Sequence, residues 1–249
     1  MILLYHHVAP PQRVPDPADG DWRFCLSPEA FEWHLVALSA RGYRFVGLDL
    51  MVRAIAQTGS PPDRCVAITF DDGWRDNHEF ALPVLARLGA PATFFVTTAG
   101  ADDTRCMTPA QLRELRRAGM TIGSHTRTHR DLTLCSDPQA LDELAGSKAA
   151  LEDLLGDSVE LLAYPFGRFN ERVVDLARQA GYAAACSALG PAANDRASLF
   201  WLFRNVLSER LDQPGDVYRL SATLTWLLSF RIRRRLMVRL GRGLHRRAG

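Results

Sequence analysis

Short apolar runs of strand length alternate with longer stretches of helical spacing between residues 2 and 186, and no other feature limits the fold as tightly. A strand joined to the next by a helix-length connection returns in the same direction. Such strands pair in parallel, and a parallel sheet is buried by helices on its faces. The strand-length runs are residues 2–5, 43–46, 65–70, 93–97, 120–123, 161–164 and 182–186. The run at 65–70 is continuously apolar rather than alternating, as expected of a strand covered on both sides. Ser27 followed by Pro28 predicts a helix start, with Phe31, Leu35 and Leu38 on one face and an end before Gly42. Further helices are predicted over 77–88, over 108–117 with Gly119 closing it, over 137–155 stopped by Gly156, and from an Asn170 cap to Gly181. The Pro, Asp and Gly residues of 10–21 mark a loop. No internal repeat or dividing linker is visible in the 249 residues, which suit one good-sized α/β domain.

Charge is unevenly placed. The formal net charge is +2, but residues 231–249 hold eight arginines and no acid, and the remaining chain, with 22 basic and 28 acidic residues, is mildly acidic. A nucleic-acid-binding body would carry a basic stripe across its fold, so no nucleic-acid partner is expected. The five cysteines (Cys25, Cys65, Cys106, Cys135 and Cys186) are odd in number, scattered and without a Cys-x-x-Cys pair. That pattern argues against a disulfide framework and for a reducing compartment. The first residues lack the basic region, apolar stretch and small-residue cleavage site of a signal peptide, and no apolar run approaches the roughly 20 residues of a membrane span. A cytoplasmic protein is the expectation.

Three segments at predicted strand ends carry chemistry. Thr69-Phe70-Asp71-Asp72-Gly73 follows the strand at 65–70, at the end of parallel strands where sites are built. Two adjacent carboxylates there repel each other unless a metal ion or a proton relieves them. A helix-capping Asp pair reads equally well. Ser124-His125-Thr126-Arg127-Thr128-His129 places two histidines four residues apart, able to turn neutral ring nitrogens toward one ion. Thr126 stands where a zinc protease needs Glu, which excludes that motif, while a capping or surface pair stays open. Ala163-Tyr164-Pro165-Phe166-Gly167 is a tight loop in which a backbone N–H could face a developing oxyanion, although such a turn is also compatible with no function.

Together these segments resemble the polysaccharide deacetylase family, also called carbohydrate esterase family 4. The resemblance rests on Thr-Phe-Asp-Asp-Gly at 69–73, Ser-His-Thr-Arg-Thr-His at 124–129, Tyr-Pro-Phe-Gly at 164–167 and the connecting text at 81–96 and 111–125, and it extends to about residue 210. It implies a distorted (β/α) barrel with parallel strands, outer helices and a groove at the strand C-terminal ends, here assigned to residues 1–218. It implies Asp72, His125 and His129 as ligands of one divalent ion, zinc first with cobalt or nickel as alternatives. It implies Asp71 as general base and the Phe166 N–H, with Tyr164 beside it, at the oxyanion. Many members supply a general acid from a late Leu-x-His strand, which this chain lacks. The opening Leu-Leu-Tyr-His-His-Val resembles a permuted branch in which that strand comes first, making His6 the expected acid and His7 the second candidate. Ala163 stands where relatives often have an arginine steering the base. In the permuted branch a later Leu-x-Arg segment fills that role, which points to Arg204. Pro109 replaces a frequent Trp at the groove rim, and Trp74 is a candidate sugar platform or a core residue.

The expected substrate is an N-acylated sugar or glycan, including lipid-linked forms, and the expected reaction is N-deacetylation. Deformylation of a sugar formamide needs the same groups, and a catalytically silent carbohydrate-binding barrel is the reading from another class. Residues 219–249 form a separate basic segment in which Leu220, Leu224, Leu228, Ile232, Leu236, Leu240 and Leu244 recur every fourth residue. That spacing predicts an amphipathic helix whose stripe drifts by about 40° per step. It reads as a helix packed on the barrel with a frayed basic end, or as a peripheral contact with the inner, anionic membrane face.

Overall fold

The computed structural model describes residues 1–13, 24–188 and 194–207. The tail at 219–249, with the membrane contact expected of it, lies outside these residues. In chain order the described elements are β1 (Ile2–Tyr5), β2 (His7–Val8), β3 (Cys25–Leu26), α1 (Pro28–Ala40), β4 (Arg44–Phe45), α2 (Leu48–Thr58), β5 (Cys65–Phe70) and α3 (Leu82–Leu88). They continue with β6 (Ala92–Val96), α4 (Pro109–Arg117), β7 (Thr121–Ser124), α5 (Asp137–Leu141), α6 (Ser147–Leu155), β8 (Leu161–Ala163), α7 (Glu171–Gln179), β9 (Ala184–Ser187), β10 (Leu202–Phe203) and β11 (Asn205–Val206). No helix among the described residues is long and apolar enough to cross a membrane.

Each helix start follows from its cap. Ser27 Oγ accepts from Ala30 N, Thr108 and Gln111 form a reciprocal capping box, and Asn170 Oδ1 accepts from Val173 N. Two expected helices are less regular than their spacing predicts. The stretch at 77–88 begins as a wide π segment, Asn77–Ala81, and the stretch at 137–155 is α5 and α6 joined through a π segment, Asp142–Gly146. The expected strands at 93–97 and 182–186 are each shifted by one or two residues. Helix α2 is absent from the expectations, although Leu48, Met51, Val52 and Ile55 do form a buried helical face.

All pairings in the main sheet are parallel, and the strands follow the order β10-β9-β8-β7-β6-β5-β1-β11, with β4 also beside β5. The two ends of this path are consecutive in sequence. Leu202–Phe203 pairs with β9, Asn205–Val206 pairs with β1, and only Arg204 lies between them. The sheet therefore returns on itself across a single residue, as the expected distorted barrel requires.

The inward positions follow the two-residue period of a strand. Ile2, Cys65, Ala67, Phe95, Leu161, Ala163, Ala184, Cys186 and Leu202 form one buried cluster with Leu48, Met51, Val52 and Ile55 of α2. Helix α2 thus plugs the end where strands begin and leaves the other end for chemistry. Continuing inward along β5 beyond Ala67 gives Thr69 and then Asp71. Gly123 of β7 shares this inward side, because a Cβ there would lie 2.5 Å from the Phe95 ring, and two residues on comes His125. At the seam Arg204 is 1 % exposed and donates to both oxygens of Asp71, at 2.6 and 2.7 Å. Its Nη1 also reaches Thr69 Oγ1 at 3.3 Å, and its guanidinium lies over the Phe95 ring.

Arg204→Met strands the Asp71 carboxylate in the barrel and should cost about 3–5 kcal/mol in denaturant unfolding. The double variant Arg204→Met/Asp71→Asn should lose clearly less than the two single losses together; simple additivity would show that the pair is not coupled. Gly123→Ala should cost about 1–3 kcal/mol by forcing the Phe95 ring aside, and an unchanged unfolding midpoint would show that the ring has room to move.

Candidate active site

Asp71 and Asp72 are neighbours in sequence but not in role. The inward register delivers Asp71 to Arg204, while Asp72 takes a left-handed backbone, φ 73°, followed by Gly73 at φ 79°. Gly is required at the second position because a Cβ would meet Val96 Cγ1 at 3.0 Å in an already strained conformation. This turn swings the Asp72 carboxylate toward the histidines. Its Oδ1 lies 3.3 Å from His125 Nε2 and 3.5 Å from His129 Nε2, and one ligand atom from each of the three residues lies within 4.8 Å of the others.

The two histidines are held differently. His125 is buried, and its Nδ1 donates to the Ala163 carbonyl at 2.8 Å, which turns Nε2 toward Asp72, as an N–H donor when the ring is protonated and as a lone pair when it is neutral. Burial works against a charge on this ring, but Asp71 and Asp72 outweigh it and raise its pKa. His129 is one-third exposed, packs edge-on against the Phe166 ring at 4.6 Å, and has its pKa lowered by burial and by the neighbouring His125. Its backbone is left-handed, φ 59°, as is that of Thr126, and Thr126 Oγ1 accepts from His129 N at 3.2 Å.

Both carboxylates are held in the ionised form. Burial alone would raise their pKa values, but Arg204 overrides it for Asp71 and hydrogen bonding to His125 overrides it for Asp72. Two ring nitrogens and one carboxylate oxygen converge, leave room for further ligands and suit an open divalent site, so the donor set fits the ion implied by the sequence.

His6 directly follows β1 and feels the charges of both aspartates. Its ring stacks on Phe24 at 4.9 Å, and its buried Nδ1 has no hydrogen-bond partner among the described residues. Burial lowers its pKa against the pull of Asp72 and Asp71. His7 turns away into a different set of contacts. Its Nδ1 lies 2.7 Å from Asp76 Oδ2 and its ring stacks on Trp74 at 4.6 Å.

Two residues expected at the substrate have protein partners of their own. Trp74, half-buried, donates from Nε1 to Asp72 Oδ2 at 3.1 Å, stacks on His7 and lies beneath the Arg105 guanidinium, so its indole braces Asp72. Tyr164 is fully buried and stacks on Phe169, so its side chain supports the loop from below and does not face a ligand. Phe166, by contrast, is 55 % exposed on a left-handed backbone of φ 59°. The next residue, Gly167, also has positive φ, and a Cβ there would lie 2.7 Å from Ala188 N.

Several polar residues around the site carry no motif. Asp76 holds His7 and Val8 N, and Asn77 Nδ2 donates to the His6 carbonyl at 2.8 Å. Glu143 accepts from Arg127 N at 2.9 Å and Thr128 N at 2.7 Å, and from the Thr128 hydroxyl. Asp76 and Asn77 sit close behind the Asp pair, which is a signal of proximity. Nothing in the sequence ties Glu143 to the histidine loop.

The family model described as polysaccharide deacetylase matches residues 58–185. The YxkH protein of Bacillus subtilis (strain 168) is 30 % identical over 181 residues, covering 73 % of this chain and 61 % of that protein. A chitooligosaccharide deacetylase of Sinorhizobium fredii is 33 % identical over 138 residues, 54 % of this chain and 60 % of that enzyme. The chain thus spans about three fifths of the length of these two curated relatives. The solved structure of the Streptococcus pyogenes deacetylase PplD in complex with acetate superposes with a TM-score of 0.77 at 25 % identity, covering 88 % of this chain and 96 % of that one. The matched stretch contains β5 with its Asp pair, the histidine loop and the Tyr164–Gly167 turn, and on that basis the chain belongs to the polysaccharide deacetylase family.

Proposed function

We propose that the chain is a metal-dependent hydrolase that removes the N-acetyl group from an amino sugar of a glycan or oligosaccharide. One observation carries this reading: of two adjacent carboxylates, Asp71 has both oxygens engaged by a buried Arg204, while Asp72 meets two imidazole nitrogens. The relatives support the substrate class. One is a chitooligosaccharide deacetylase and another a deacetylase in complex with acetate, the product an acetamide would release.

In this reading Asp72, His125 and His129 hold one divalent ion, zinc first and cobalt or nickel as alternatives. When bound there, the ion supplies Lewis acidity, polarising the amide carbonyl and lowering the pKa of water. Asp71 takes the proton of the attacking water. Arg204 keeps that carboxylate ionised and fixes its direction, so it waits as a base rather than competing as a ligand. The Phe166 N–H, presented by its left-handed backbone, faces the oxyanion that develops on the carbonyl oxygen. His6 gives a proton to the leaving amine. A buried ring with a lowered pKa is a stronger acid once protonated, which suits it to that transfer. His7, tied to Asp76 and stacked on Trp74, holds the floor of the site.

Acetate release from N-acetylated chitooligosaccharides should fall to background after exhaustive chelation and return with added zinc; undiminished release would sink the metal reading. Formate release from a formamido sugar at a higher rate than acetate release would instead make the protein a deformylase. Asp71→Asn should reduce kcat by about 10²–10⁴-fold while metal content by elemental analysis stays near one per chain. His6→Ala should lower kcat more than His7→Ala when both variants are compared at equal folded fraction. The reverse order would move the proton donor to His7.

A further inference from the structure

Residues 126–129 adopt a conformation that their own sequence does not favour. Thr126 and His129 both have positive φ, 66° and 59°, a region that costs a non-glycine residue of order 1–3 kcal/mol. Such a loop persists only where its surroundings over-determine it: Thr98 N and Ala99 N donate to the Thr126 and Arg127 carbonyls at 3.2 and 2.7 Å, and the N–H side of the loop is held by one other segment. The π segment Asp142–Gly146 widens the helix between α5 and α6 and turns Glu143 inward, where it is 5 % exposed. Three donors converge on its carboxylate: Arg127 N at 2.9 Å and Thr128 N at 2.7 Å on Oε2, and the Thr128 hydroxyl on Oε1. One turn later Ser147 Oγ meets Ser124 Oγ at 2.8 Å, and Ser124 Oγ in turn accepts from Thr126 N at 3.1 Å.

Glu143 makes no ion pair among the described residues, and a buried carboxylate in that position is costly; three hydrogen bonds from one short loop offset that cost. The same bonds consume the amides of the two residues that immediately precede His129. Without them the Arg127 and Thr128 amides lose their partners, the loop keeps only its carbonyl bonds to Thr98 N and Ala99 N, and the His129 ring gains freedom to leave Asp72 and His125. The other ligands have no such dependence. His125 is fixed by the barrel register and the Ala163 carbonyl, and Asp72 by the Gly73 turn and Trp74.

We propose that Glu143 is a positioning residue for His129: it sets the affinity of the site for its ion by holding the 126–129 loop in its strained form, without touching ion or substrate. This rests on the proposed metal site. Outer-shell partners of ligands typically change metal affinity by about 10–100-fold. Glu143 acts through the backbone, so the lower end of that range is expected.

The test is Zn²⁺ titration of the metal-stripped full chain against a chromogenic competing chelator, with folded fraction measured for every variant. Glu143→Ala should weaken Zn²⁺ binding about tenfold. Glu143→Gln should stay within about threefold of wild type, because its amide oxygen can accept both N–H groups and its NH₂ can donate to Thr128 Oγ1. Thr128→Val, which removes one of the three bonds and little packing, should weaken binding a few-fold, and it decides the matter if Glu143→Ala fails to fold. Lys148→Met removes the ammonium that donates to Glu152 Oε1 at 2.7 Å and to Val159 O at 2.6 Å beside α6, without touching the loop. It should lower the unfolding midpoint and leave Zn²⁺ affinity unchanged. Wild-type affinity in folded Glu143→Ala and Thr128→Val would overturn the role of Glu143 alone. Failure of the wild type to bind Zn²⁺, Co²⁺ or Ni²⁺ would overturn the metal site and this role with it.

Discussion

The Arg204–Asp71 pair sits where the sheet closes on itself, almost entirely out of water, and the rest of the site is arranged around it. Removing two charges from water costs several kcal/mol each, so such a pair is not an economical way to stabilise a barrel. Its value lies in what it forbids. Both Asp71 oxygens are spoken for, so although its Oδ2 lies 3.9 Å from His125 Nε2, only Asp72 comes within 3.5 Å of both histidines. The same contact joins β10 and β11 through the one residue between them, tying the electrostatics of the site to closure of the fold. A change at position 204 therefore cannot be purely catalytic or purely structural.

Strain is gathered at the same end of the barrel. Among the described residues five non-glycines have positive φ, and four of them are Asp72, Thr126, His129 and Phe166. Each lies in one of the three loops that leave β5, β7 and β8. The supports differ in kind. Gly73 and Gly167 relieve the turns from within by lacking a Cβ where Val96 and Ala188 press close, whereas the histidine loop is held from outside by hydrogen bonds to α6, to the π segment before it and to Thr98 and Ala99. A glycine can be read in a sequence as a turn. A support supplied by another element cannot.

That distinction explains how much was legible. The strand-helix alternation, the Asp pair, the two histidines and the Pro-Phe-Gly turn are local patterns, and each lies at the strand end where the spacing predicts it. Arg204 was reachable because it belongs to a short local segment, Leu202–Val206, even though its partner is 133 residues away. Glu143 was not reachable. Fifteen residues separate it from Thr128, and its direction depends on one extra residue in a helical turn, which leaves no mark in composition or periodicity. Trp74 reads two ways in the sequence for a related reason, since an aromatic beside such a motif looks alike whether it faces solvent or donates its indole N–H to the motif. Helix α2 was overlooked because its cap, Gly47, has no side chain to announce a helix start.

Exposure across the site rises from Arg204, His125 and Asp71, all buried, to Asp72, His129 and finally Phe166. The inner groups interact in a region of weak screening, where a fixed charge acts strongly on its neighbour. The outer groups lie on loops that water reaches. In the proposed function a substrate approaches from the side of His129 and Phe166, with only its reacting group passing inward to Asp71. That reading separates two demands that compete in many sites. The proposed base and its arginine can be held rigidly and kept dry, because they need not adapt to the ligand. Adaptation falls to Phe166 and His129, on backbones already at the edge of what non-glycine residues tolerate. The anchoring of these two loops, rather than the barrel beneath them, then sets how well the outer ligand keeps its place.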